Sequence, residues 1–81
     1  MELQKILVEL SDEDAANLAE LARRCSQADQ ASEGATSHGP LENAAAVLAM
    51  LAEDAAMAIR RPGSWEGAGL IRHLAAHGYD L

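Results

Sequence analysis

The stretch from Leu41 to Arg60 constrains the fold most, because it is long and carries few charges. As a helix, 41–60 would be ~30 Å long. At 100° per residue its apolar side chains cover roughly 200° of the circumference, whereas a surface helix needs about 100°. These side chains are Leu41, Ala44, Ala45, Val47, Leu48, Leu51, Ala52, Ala55, Ala58 and Ile59. The pattern predicts a helix that other parts of the protein cover on more than one side.

A second, smaller apolar seam lies between two polar stripes of this helix. It consists of Ala46, Met50 and Met57. Met50 and Met57 can face one neighbour, and methionine adapts to irregular surfaces. We interpret the seam as packing against a third helix or a second copy of the chain; the alternative is a groove for a partner protein. For an interface, Val47, Met50 and Met57 are the predicted contact residues.

The residues before this helix predict another helix and a loop. Ser11, followed by three acidic residues, is typical of a helix start, because its hydroxyl can cap free backbone N–H groups. Apolar periodicity extends the predicted helix over 11–27. Residues 28–40 are small and polar, contain two glycines and predict a flexible loop that ends at Pro40.

A third helix is predicted at 65–77. Ser64 is its expected N-cap, and Gly78 is expected in the left-handed position just beyond its end. Tyr79 would then touch Leu74, the apolar contact that accompanies such an ending. Trp65 opens this helix and, as the single indole of the chain, is a candidate interface anchor.

Residues 4–10 predict a short β-strand. Ile6, Val8 and Leu10 alternate onto one face, which places Lys5, Leu7 and Glu9 on the other. A lone strand has unpaired backbone groups on both edges, so it needs a partner strand from another chain. The expected fold is therefore mainly α, with a short N-terminal strand followed by three helices in one domain, 1–81, that is dimeric.

The small core supports the same expectation of a dimer. Of the 81 residues, 18 are alanine, so each helix buries little apolar area. A homodimer would cover both faces of the central helix and pair the strand.

Charge limits the partners. The net charge is −7, from 13 acidic and 6 basic residues, which disfavours DNA and anionic membranes and favours a basic protein surface. Cys25 is the lone cysteine, and no signal peptide is recognised, which indicates a cytoplasmic protein.

No residue cluster predicts catalysis. His73 and His77 are four residues apart on the third helix, but Glu66 is about 10.5 Å further along the axis, too far to complete a metal site. Two exposed histidines are expected there. Cys25 lies on an apolar helix face and is expected to be a small hydrophobic residue. The sequence contains no motif for a nucleophile, a phosphate or a dinucleotide, so we expect no enzyme activity, cofactor or metal.

Residues 5–13, Lys-Ile-Leu-Val-Glu-Leu-Ser-Asp-Glu, lead into Leu18, Leu21 and Ala22 and resemble the opening of ribbon-helix-helix proteins. These are dimeric DNA-binding repressors and antitoxins. The resemblance covers about residues 4–25. It implies that Lys5, Leu7 and Glu9 would enter the DNA major groove from a paired ribbon. In an antitoxin, it further implies a C-terminal segment wrapped on a toxin.

Two functions follow as expectations. The first is a small acidic, non-enzymatic interaction module or regulator that occupies a partner surface, with Leu7, Val47, Met50, Met57 and Trp65 at the interface. The alternative is a ribbon-helix-helix transcriptional regulator or antitoxin that binds DNA. Lys5, Leu7 and Glu9 would present one cation, one aliphatic side chain and one carboxylate to a negatively charged groove. This combination is poorly suited to binding DNA, which favours the first function.

Overall fold

The computed structural model describes residues 2–81 and contains three α-helices, α1 (Asp12–Ala31), α2 (Ala44–Arg60) and α3 (Trp65–Ala76). The chain divides into two compact units, the first ending at Ala44 and the second running from Ala45 to Leu81. The first unit holds α1 and the residues on either side of it, and the second holds α3 and all of α2 after its first residue. Among the described residues, no helix combines the length and apolar character needed to cross a membrane.

The predicted strand at 4–10 is wrong. Residues 2–10 are neither helical nor in a strand, and the described part of the chain is all-helical, with no sheet. The alternation of apolar residues describes which faces a strand would have, but a strand exists only when a second backbone supplies its hydrogen bonds. The described chain offers no such second backbone.

Helix α1 begins as its sequence predicts. The Ser11 hydroxyl accepts a hydrogen bond from the backbone N–H of Asp14 at 3.0 Å, which satisfies one of the free donors of the first turn. The first-turn carboxylates lie at the positive end of the helix dipole. The helix ends at Ala31 rather than near Gln27, because the intervening residues carry no helix-breaking glycine or proline.

The end of α1 is a two-bond helix cap. The Glu33 N–H donates to the Gln30 carbonyl at 3.1 Å, and the Gly34 N–H donates to the Asp29 carbonyl at 2.8 Å. Glu33 occupies the left-handed region with φ 57°, a position usually held by glycine. Glu33 therefore carries a Cβ atom in a backbone conformation that disfavours a Cβ atom.

The loop after α1 is hydrogen-bonded back to the helix. The Ser26 hydroxyl donates to the Pro40 carbonyl at 2.6 Å. The Thr36 hydroxyl contacts the Asp29 carboxylate and lies 3.2 Å from the Gly39 carbonyl oxygen. These bonds hold both the middle and the end of the loop against the last turns of α1.

Helix α2 begins at Ala44, three residues after the predicted start at Leu41. Leu41 has φ 48°, in the left-handed region, so the backbone there cannot continue into a right-handed helix. Residues 41–43, predicted as the first turn of this helix, are therefore not helical.

In the second unit, α3 starts against the end of α2. A Cβ atom at Gly67 would lie 2.5 Å from the Arg61 carbonyl oxygen and 2.6 Å from the Met57 carbonyl oxygen. Only glycine allows this approach of the two backbones. The Gly67 N–H donates to the Ser64 hydroxyl at 3.1 Å, so Ser64 is the N-cap that the sequence predicts.

The end of α3 also follows the predicted cap. Gly78 has φ 94°, and its N–H donates to the Ala75 carbonyl at 2.9 Å. The Tyr79 N–H donates to the Leu74 carbonyl at 3.0 Å, which completes the paired hydrogen bonds expected of a left-handed glycine ending. The last helical residue is Ala76, one before the predicted limit.

Candidate functional site

The residues before α1 form an exposed apolar segment, called here the leading segment (residues 2–10). Every residue in it is exposed, and Leu7 shows 90% of its surface to solvent. Lys5 and Glu9, predicted with Leu7 to face DNA, are also exposed. The large apolar side chains of the segment are Leu3, Ile6, Leu7, Val8 and Leu10. The sequence predicts that Ile6, Val8 and Leu10 join a core, but none of them is buried, and only Leu10 is more than half covered.

Carboxylates border the leading segment at its junction with α1. Asp12, Glu13 and Asp14 occupy the first turn of the helix and are exposed. Glu2 and Glu9 add two further negative charges within the segment, against the single cation Lys5. The segment is therefore apolar in its middle and acidic around it.

The two arginines of α1 are both engaged by one carboxylate. Arg23 forms a two-pronged ion pair with Glu20, and the Arg24 Nε lies 3.7 Å from Glu20 Oε1. The hydrogen bonds from Arg23 lower the pKa of the Glu20 carboxyl group. These three side chains together leave this part of α1 with a net charge of +1.

The predicted contact residues of α2, Val47, Met50 and Met57, are buried or half-buried. Val47 is 1% exposed and has no surface left to offer a partner. Met50 and Met57 are half-buried, and the Arg60 guanidinium lies 3.0 Å from Met57 Sδ. Trp65, the remaining predicted contact, is 80% exposed. Of the predicted interface residues, Leu7 and Trp65 are thus open to solvent, and they belong to different units of the chain.

The opposite side of α2 carries an apolar surface that sequence reasoning assigned to the core. This outer face is half-buried at Leu48 and exposed at its other positions, and Ile59 is 87% exposed. None of its side chains is charged. Its residues are Leu48, Leu51, Ala52, Ala55, Ala56 and Ile59. The sequence showed that α2 is apolar over a wide arc, but it could not show which half of the arc would be covered.

The candidate metal and thiol residues do not form a site. The rings of His73 and His77 meet edge to face with centroids 4.9 Å apart, on the exposed end of α3. Within residues 2–81, no group of three histidine, cysteine or acidic side chains is arranged to hold a metal ion. Cys25 is a half-buried free thiol.

Comparison with protein-family models, with curated proteins and with solved structures yields no match. The similarity of residues 4–25 to ribbon-helix-helix proteins therefore stays a prediction from those residues alone.

Proposed function

We propose that this protein is a small acidic, non-enzymatic interaction module of the cytoplasm, a homodimer that acts by occupying the surface of a protein partner. One observation carries the proposal: the leading segment presents several large apolar side chains to solvent outside the helices. Leu3, Ile6 and Leu7 each expose more than four fifths of their surface. A contiguous exposed apolar patch of this kind marks an interaction site.

The leading segment is suited to docking in a groove. Burial of one leucine or isoleucine side chain contributes about 1.5–3 kcal/mol, so Leu3, Ile6 and Leu7 together would supply a substantial part of a binding free energy. The backbone of the segment has no regular hydrogen-bonding partner within the described chain, so its N–H and C=O groups are also available to a partner.

The acidic border of the segment defines the partner chemistry. Side chains of Asp12, Glu13 and Asp14 follow the apolar residues directly, and the whole chain carries a net charge of −7. A complementary surface is an apolar groove flanked by lysine or arginine. Opposite charges would accelerate the encounter, and added salt would slow it.

A photo-crosslinking amino acid in place of Leu7, introduced in the native cells, tests this function. We expect a single covalent adduct with a basic protein, which Ile6→Asp abolishes because it places a charge in the groove. Gln4→Asp is the matched control: it adds the same charge to the same segment at a polar position, so the adduct should persist. Absence of an adduct, or an adduct insensitive to Ile6→Asp, would overturn the proposal.

The DNA-binding alternative predicts that the chain binds nucleic acid, whereas the proposed function predicts that it does not. Its expected groove contacts, Lys5, Leu7 and Glu9, are exposed, but they bring one positive charge against one negative charge. Phosphate neutralisation by lysine and arginine dominates DNA affinity. Fluorescence anisotropy with random and palindromic duplexes at low salt should therefore show no binding. A steep, salt-dependent affinity would establish the ribbon-helix-helix function instead.

A further inference from the structure

The turn between α2 and α3 presents exposed apolar and basic side chains within a few residues of one another. This surface is called here the α2–α3 corner (residues 59–65). Ile59 and Trp65, at the two ends of this range, each expose at least four fifths of their surface. Arg60 and Arg61 follow Ile59 directly and are also exposed. The corner therefore offers apolar area together with positive charge.

The backbone of the corner is fixed by local contacts. The Ser64 N–H and the Ser64 hydroxyl both donate to the Arg61 carbonyl, at 3.0 Å and 2.7 Å. The same carbonyl oxygen would lie 2.5 Å from a Cβ atom at Gly67, so the first turn of α3 packs closely against it. A surface that is already ordered loses little conformational entropy when a ligand binds. The corner is therefore suited to receive a segment that has no helix or strand of its own.

The arginines of the corner have no carboxylate partner in the described part of the chain. Both ion pairs there involve Glu20, and the Arg60 guanidinium lies beside Met57 Sδ. Glu66 is the only carboxylate among residues 55–70. The corner is thus a positively charged place in an acidic chain, and its guanidinium groups can bind carboxylates from another molecule.

The acidic residues are concentrated in the other unit. The unit that ends at Ala44 contains 9 acidic and 3 basic residues, and the unit from Ala45 to Leu81 contains 4 and 3. Nearly all of the net charge of −7 therefore belongs to the unit that holds the leading segment. The surface that complements this segment is apolar and flanked by lysine or arginine. The α2–α3 corner has both properties.

We propose that the leading segment of one copy docks on the α2–α3 corner of a second copy, and that the exchange is reciprocal. Each copy supplies one segment and one corner, so a two-fold dimer closes with two equal contacts. The inference rests on the proposed function and adds a regulation to it. The second copy covers the leading segment until a protein partner with a more enclosing groove displaces it.

Apolar contact supplies the affinity of this dimer, and charge selects the docking site. Leu7 exposes nine tenths of its surface in the single chain, so its burial is left to another molecule. Ile59 and Trp65 offer apolar area for that burial. Carboxylates at Glu9 and Asp12 border the segment and complement the two arginines. The nine residues of the segment span up to about 30 Å when extended, which gives it the reach to cross to a second copy.

Substitutions at the corner test the docking site by molar mass. Sedimentation equilibrium of the full chain at micromolar concentrations should give twice 8.5 kDa. Trp65→Glu should weaken dimerisation at least about tenfold, because it removes the indole and places a carboxylate near an acidic segment. Arg61→Glu should weaken it about three- to tenfold, whereas Arg72→Glu, the same charge reversal at an exposed position on α3, should leave it unchanged. Helical circular dichroism should be the same for all three variants.

A mixing experiment tests whether the segment of one chain meets the corner of another. Ile6→Asp chains have an intact corner, and Trp65→Glu chains have an intact segment. Each variant alone should be monomeric at micromolar concentration, but an equimolar mixture should form a heterodimer that retains one of the two contacts. This heterodimer should be weaker than the wild-type dimer, because the second contact no longer reinforces the first. Segment-to-segment or corner-to-corner pairing would leave the mixture monomeric and would overturn the proposal.

Photocrosslinking from Leu7 in the purified protein maps the contact. We expect a covalent dimer whose crosslink lies within residues 59–65 of the second copy, whereas in cells the partner displaces that copy and takes the adduct. A wild-type monomer, or a dimer that both corner substitutions leave intact, would show the docking site to be wrong.

The failure of this inference is distinguishable from that of the proposed function. Trp65→Glu leaves the leading segment free, so its adduct with a basic partner in cells should persist or increase. If the adduct forms although the purified protein is monomeric, only the reciprocal dimer is wrong. If the dimer and the mixing result hold but no partner adduct forms, only the proposed function is wrong.

Discussion

Two glycines of α3 that lie two residues apart occupy opposite environments. A Cβ atom at Gly67 would approach the backbone carbonyl oxygens of Met57 and Arg61 within 2.6 Å, whereas a Cβ atom at Gly69 would meet no atom within 4 Å. The sequence shows only that both residues weaken a helix relative to alanine. The structure assigns a packing role to Gly67 and leaves Gly69 without one.

Alanine at these two positions should therefore change stability in opposite directions. Gly67→Ala should lower the free energy of unfolding by about 1–3 kcal/mol, because rigid backbone must move to accept the methyl group. Gly69→Ala should raise it by up to about 1 kcal/mol, because it removes backbone entropy from the unfolded chain. Urea unfolding followed by circular dichroism measures both. Equal effects would show that α3 does not approach α2 at Gly67.

Two features of Glu33 destabilise the end of α1. Its left-handed backbone suits glycine, and its negative charge lies at the negative end of the helix dipole. Glu33→Gly should stabilise the protein by about 1 kcal/mol in urea unfolding. Glu33→Gln keeps the backbone strain and removes the charge, so it should give only a few tenths of a kcal/mol. If the two variants are equally stable, the strain is absent.

At the scale of the element, α1 should respond to acid through Glu20. The pKa of this carboxyl group lies below its ordinary value of 4.5, because the charged form is hydrogen-bonded to Arg23. A lowered pKa means that the stabilisation is present above the unfolded value and is lost as the pH falls through the folded value. An NMR titration should give Glu20 a midpoint below 4.5, and high salt or Arg23→Gln should raise this midpoint. A midpoint unchanged by Arg23→Gln would contradict this origin.

Three element ends were predictable because a recognisable short-range interaction sets them. Ser11, Ser64 and Gly78 act within three or four residues of their own positions, so their roles follow from the local sequence. The failures have other causes. The strand at 4–10 needed a second backbone. The end of α1 and the start of α2 depend on the left-handed conformations of Glu33 and Leu41, which those side chains do not predict.

At the scale of the molecule, the leading segment should be dispensable for folding. Its residues are all exposed and belong to no helix. A chain that lacks residues 2–7 but retains the partly covered Val8 and Leu10 and the Ser11 cap should keep its helical circular dichroism, and its free energy of unfolding should change by less than about 0.5 kcal/mol. A large loss of stability would show that the segment packs on the helices in solution.

The solvent exposure of the apolar side chains was only partly predictable. Leu7 and Trp65 are exposed as their predicted roles require, whereas Val47 is buried and the outer face of α2 was assigned to the core. Helical periodicity gives the direction of each side chain from the helix axis, but it does not say which direction the rest of the chain occupies. Because the apolar arc of α2 spans roughly 200°, either half of it could be the covered one. Only the tertiary structure determines which half is covered.

The leading segment also affects how such a protein could change over generations. Under the proposed function, substitutions at Leu3, Ile6 and Leu7 would alter what the molecule recognises, and these side chains are more than four fifths exposed, so the helices would be undisturbed. Under the same proposal, specificity and foldability are encoded in different stretches of the chain, so recognition can be rewritten while the helices stay the same.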